Sequence, residues 1–130
     1  MVRLILILLV VPGVLLAETP LSLSQFKAVA EGKTLYFATP SGPYGAEQYL
    51  KGQRSIWRYG DGSCTHGVWY AKKDMICFRY EDETTEQCWR IFDGPGGLVA
   101  RADGAGPGDG LRVVKRSPAP LICKGPDVGV

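Results

Sequence analysis

The chain has 130 residues, with 15 Lys and Arg against 13 Asp and Glu and a formal net charge of +2. No basic run exceeds two residues, so neither the balance nor the patterning suggests a nucleic-acid partner. The length fits one domain, and 17 glycines and 9 prolines imply many turns.

In chain order, Met1-Val2-Arg3 puts a positive charge ahead of an apolar run from Leu4 to Leu16, and polarity rises after Ala17. That layout is a signal peptide over residues 1–17, cut after Ala17. The run is too short for a bilayer span, which takes roughly 20 apolar residues. The expectation is therefore an exported, periplasmic or secreted protein, with one disulfide-bonded β domain over 18–130 and no stable membrane span after cleavage.

Residues 21–31 predict a short helix, capped by Ser22 or Ser24 and stopped by Gly32, with Leu23, Phe26, Val29 and Ala30 near one face. Helical periodicity then ends. Short strands are expected at 34–38, 46–50, 54–59, 67–71, 75–80, 87–92, 98–101 and 111–115, separated by turn residues such as Pro40-Ser41-Gly42-Pro43 and Gly60-Asp61-Gly62. Close spacing without intervening helices predicts a mainly β fold: an antiparallel meander of about eight strands, as a small lipocalin-like barrel or a sandwich.

Four cysteines, Cys64, Cys77, Cys88 and Cys123, form an even set in an exported chain and read as two disulfides. A four-thiolate metal site would normally use C-x-x-C pairs, which are absent. Setting Cys77 opposite Cys88 also aligns Ile76 with Trp89 and Phe78 with Gln87, so one register joins an apolar face and a cysteine pair. The expected bridges are Cys77–Cys88 and Cys64–Cys123.

Catalytic chemistry has few candidates. His66 is the single histidine. A Cys64–His66 nucleophile would need a free thiol, leaving an odd cysteine elsewhere. No nucleophile elbow, phosphate loop or dinucleotide fingerprint is present. The acidic stretch Glu81 to Glu86 reads as a hairpin tip projecting into water. No catalytic residue, metal or cofactor is expected.

The candidate binding residues are Glu47, Tyr49, Trp57, Arg58, Trp69 and Trp89. Glu47 lies on an expected strand among aromatics, with Arg54 and Arg58 on the next. It reads either as a polar group lining a pocket or, more ordinarily, as half of a cross-strand ion pair on the outer face. The three tryptophans read as an aromatic ligand wall or as core.

The pattern Gly32-Lys33-Thr34-Leu35-Tyr36-Phe37, Tyr44-Gly45-Ala46-Glu47-Gln48-Tyr49, Trp57, Cys64, Gly67-Val68-Trp69-Tyr70, Ile76-Cys77-Phe78-Arg79-Tyr80-Glu81 and Gln87-Cys88-Trp89 resembles a group of small exported alphaproteobacterial proteins. The likeness covers roughly residues 23–92 and implies export but no particular activity. The helix-then-meander order is also loosely similar to lipocalin-type barrels, an architectural likeness only. The leading functional expectation is a non-catalytic binding module of the bacterial envelope, for a small apolar ligand or an envelope protein. The alternative is an inhibitor of an envelope or host hydrolase, inserting the acidic tip or a loop at 39–45. A Cys/His enzyme is the third reading.

Overall fold

The computed structural model describes residues 9–13, 18–106 and 108–125. The expected signal-peptide cut lies outside the described residues, as does most of the apolar run before it.

One helix precedes eight strands: α1 (Leu23–Ala30), β1 (Thr34–Thr39), β2 (Gly42–Leu50), β3 (Arg54–Arg58), β4 (Cys64–Lys72), β5 (Met75–Tyr80), β6 (Gln87–Gly94), β7 (Gly97–Ala102) and β8 (Gly110–Ser117). Each strand pairs antiparallel with the next, and β8 returns to β1, closing a barrel. The meander is thus a barrel and not a sandwich. Closure removes the two edges an open sheet would leave unpaired.

Ser22 caps α1. Its hydroxyl accepts from the Gln25 amide while the Gln25 side chain accepts from the Ser22 amide, a reciprocal capping box. Gly32, with φ +78°, ends the helix in a backbone conformation that only glycine adopts without cost. Phe26 and Ala30 are buried, and Phe26 meets Tyr49 and Trp69 edge-on at ring-centroid distances of 5.2 and 5.6 Å. α1 thereby stoppers the barrel end at which β1 begins. Leu35, Ile76 and Leu98, all near that end, complete a filled core.

Two segments expected as loops are strand. β2 begins at Gly42 and β4 at Cys64, so the 39–45 segment narrows to a turn at Pro40-Ser41. Pro43 is tolerated because the β1–β2 register shifts between Phe37 and Ala38, leaving Ala38 opposite Pro43 at an irregularity.

Both disulfides pair as expected, Cys77 with Cys88 and Cys64 with Cys123, and no cysteine is free. The β5–β6 register is also the expected one: Ile76 opposite Trp89, Cys77 opposite Cys88, Phe78 opposite Gln87. Beyond β8 the chain runs back along the outside of β2 and β3 as a strap. Thr34 Oγ1 donates to the Ala119 carbonyl (2.8 Å), the Leu121 amide to Gln48 Oε1 (3.0 Å), Arg58 to the Ile122 carbonyl (3.2 Å) and the Lys124 amide to the Gly62 carbonyl (2.7 Å). The strap covers Thr34, which faces outward yet is fully buried.

Candidate functional site

Inward side chains fill the stoppered half of the barrel and leave the other half hollow. An eight-stranded barrel has an interior just wide enough for side chains or one small ligand. Here the hollow measures about 240 Å³. Ile91, Ala100 and Leu111, from β6, β7 and β8, give it an apolar wall, and Phe37 and Phe78 extend that wall on β1 and β5. The mouth lies among Tyr44, Tyr59 and Glu83.

Trp57 organises the mouth. Its ring lies 5.8 Å from Tyr44, 6.1 Å from Phe37 and 6.3 Å from Tyr59, the last edge-to-face. The ring crosses directly over Gly45, where a Cβ would fall inside the indole. Gly67 makes the same room for Tyr80, since a Cβ there would lie 2.7 Å from the Tyr80 ring and 2.9 Å from the Arg79 carbonyl. Tyr80 in turn stacks on Phe78 with ring planes 8° apart.

Glu47 enters this cavity from β2 and is 2% exposed. Tyr80 donates its hydroxyl proton to Glu47 Oε2 at 2.9 Å, while Oε1 has no hydrogen-bond partner. Burial pushes the carboxyl up to about 8, opposed by the nearby Ser55 and Tyr80 hydroxyls. Ser55 Oγ nevertheless lies outside hydrogen-bonding geometry and is itself unpartnered. Burial also raises the phenols of Tyr49 and Tyr80, and the neighbouring Glu47 adds to it. The outer-face ion pair expected for Glu47 is therefore incorrect. Glu47 pairs with Trp57, not with an arginine, and both side chains face inward.

The six candidate binding residues separate into two groups. Glu47, Tyr49, Trp57 and Trp89 share the cavity. Arg58 lies outside the barrel, 5.8 Å from the Tyr36 ring centroid and bonded to the strap. Trp69 is core beneath α1, its indole N–H donating to the Arg54 carbonyl at 3.0 Å. Tyr80, Glu83 and Tyr59 were not among the candidates. The alternation that puts Trp57 inside also puts Tyr59 inside, and Tyr80 follows Phe78 in the same way.

The acidic stretch is the tip of the β5–β6 hairpin, with Glu81, Asp82, Thr84 and Thr85 exposed, but its Asp82, Glu83 and Glu86 carboxylates are tied to neighbouring side chains. Thr65 and Tyr59 donate to the two oxygens of Asp82 at 2.7 and 2.8 Å, and the Thr65 and Tyr59 hydroxyls hold its carboxyl below the usual range. Glu86 accepts from Tyr70 and Lys72, and Glu83 from Gln87. Of the two segments expected for insertion into a hydrolase, 39–45 is reduced to a turn at Pro40-Ser41 and the acidic tip is braced by these hydrogen bonds. Cys64 lies in a disulfide and offers no thiolate, while His66 is exposed on the outer face of β4. Two disulfides fit an oxidising, non-cytoplasmic compartment. Among the described residues no helix is long and apolar enough to cross a membrane.

Compared with protein-family models, curated proteins and solved structures, the chain matches none.

Proposed function

We propose that this protein is an exported, non-catalytic binding module that takes one small, largely apolar ligand into the open end of its barrel, in the periplasm or outside the cell. The observation that carries this reading is the hollow of about 240 Å³ above a filled core. An apolar cavity of about 150 Å³ is enough to hold benzene, so this one accommodates a single ring with a short arm. Aromatic walls and a few polar groups are the usual composition of a ligand pocket. Disulfides and a closed barrel suit an exported scaffold that keeps its cavity shape without a partner.

Titration calorimetry of the oxidised protein with propylbenzene tests the reading. Saturable one-to-one binding is expected, and Ala100→Trp, which fills the cavity from β7, abolishes it while the protein remains folded by circular dichroism. Equal heats for the parent and the filled variant, or no binding by small aromatics of any polarity, contradict it.

A further inference from the structure

We propose that the ligand is an amine: a protonated nitrogen on a short arm attached to one aromatic or aliphatic ring, with the nitrogen held at Glu47. This rests on the cavity reading above and specifies its chemistry.

Three independent features converge on a cation. The first is Glu47 Oε1, a fully buried polar atom without a hydrogen-bond partner on a side chain that lines the cavity. A buried oxygen left unsatisfied costs free energy that a donor on the ligand would recover. Oε2 is already held by Tyr80, so the carboxyl is fixed in orientation and its other oxygen is left unpartnered. The second is the sign of the lining. Its ionisable groups are Glu47 and Glu83 with the phenols of Tyr44, Tyr49, Tyr59 and Tyr80; among the described residues no lysine, arginine or histidine lines the cavity. The third is the aromatic surface. Trp57 and Trp89 both line the cavity, indole being the best side-chain surface for a cation, and Trp57 is the cross-strand partner of Glu47.

The proton balance is simple. In the free protein near neutral pH the Glu47 carboxyl retains its proton, because burial holds it up to about 8. Binding an ammonium at Oε1 replaces that proton with a charge-assisted hydrogen bond. One proton leaves Glu47 for solvent, and the ligand keeps its own. Removing a proton at pH 7 from a group titrating about one unit higher costs about tenfold in affinity, which the charge-assisted contact has to exceed. Tyr49, Tyr80 and, at the mouth, Glu83 face the same space, and burial raises both phenols, so neither tyrosine supplies the proton instead.

The test compares three probes of similar size on the oxidised protein: phenethylamine, 4-phenyl-2-butanone and propylbenzene. Phenethylamine is expected to bind about tenfold or more tightly than either neutral probe. Calorimetry at pH 6.5 in two buffers of different ionisation enthalpy should record release of close to one proton per amine bound and none for the others. Glu47→Gln should weaken phenethylamine by about tenfold or more and abolish the proton release on amine binding. If propylbenzene or the ketone binds as tightly as the amine, or amine binding releases no proton, the amine assignment is wrong and the cavity reading stands. If none of the three binds, both fall. The ranking and proton count on the unmodified protein decide the matter even if the variant does not fold.

Discussion

A carboxyl group carried from water into a barrel keeps its proton to higher pH, and at Glu47 this has a measurable consequence for folding. The folded form holds a proton that the unfolded chain, titrating near 4.5, releases. The associated stability is therefore fully present below about pH 4.5, declines as pH rises, and is gone once pH passes about 8. Glu47→Gln removes this dependence. Urea unfolding between pH 5 and 9 should show the variant losing less stability than the parent across the window, by on the order of a few kcal/mol; parallel curves would mean that Glu47 is ionised or solvated in the native protein. The same residue marks where the sequence is hard to read. Its parity with Tyr49 points inward, but Arg54 and Arg58 nearby suggest an outer ion pair. Choosing between them needs the β2–β3 register, and the Lys51-Gly52-Gln53 turn does not reveal it. The register places Trp57 opposite Glu47 and so decides the face.

At the scale of elements, two glycines, Gly45 and Gly67, let the cavity-lining rings of Trp57 and Tyr80 cross a neighbouring strand. Gly67→Ala forces the Tyr80 ring off β4 and with it the hydroxyl that orients Glu47. A destabilisation of about 1–3 kcal/mol is expected by chemical denaturation, with the Tyr80 ring resonances shifted; a neutral substitution would contradict the close approach. The stopper is equally testable. Phe26→Ala should cost about 3–5 kcal/mol, because the ring sits edge-on to both Tyr49 and Trp69 with nothing to replace it. Ser22→Ala should cost about 1 kcal/mol through the lost cap alone. Most of these elements are legible beforehand. A serine cap at Ser22 or Ser24, the apolar spacing of α1 and the shared Cys77–Cys88 and Ile76–Trp89 register follow from pattern, whereas the part played by Gln25 in the cap does not. The starts of β2 and β4 do not, since Gly42-Pro43 and Cys64-Thr65-His66 carry turn-forming or polar residues. Their strand state comes from pairing with β1 and β3, which local propensity does not encode.

For the whole molecule, the strap and its Cys64–Cys123 bridge join the two ends of the barrel along its outside, closing a loop of 59 residues. Removing the bridge by a double Cys→Ala substitution should cost about 2–4 kcal/mol. The loss should appear first as faster amide exchange at Lys124 and Leu121, whose amides bond to Gly62 and Gln48. The pairing of these cysteines is readable from the sequence because Cys77 and Cys88 claim each other. Closure of β8 onto β1 is not, because the two strands are joined only by the geometry of all the strands between them. Closure and stopper together leave one half of the barrel hollow, and every functional statement depends on that space being open to a ligand. Methyl NMR spectra of the oxidised protein, titrated with propylbenzene, examine it most directly. Saturable shifts at Ile91, Ala100 and Leu111, with the Trp57 and Trp89 indoles following and the outer-wall Val68 and Val114 unmoved, are the expected result. Unchanged cavity methyls, or shifts confined to the outer wall, would contradict it.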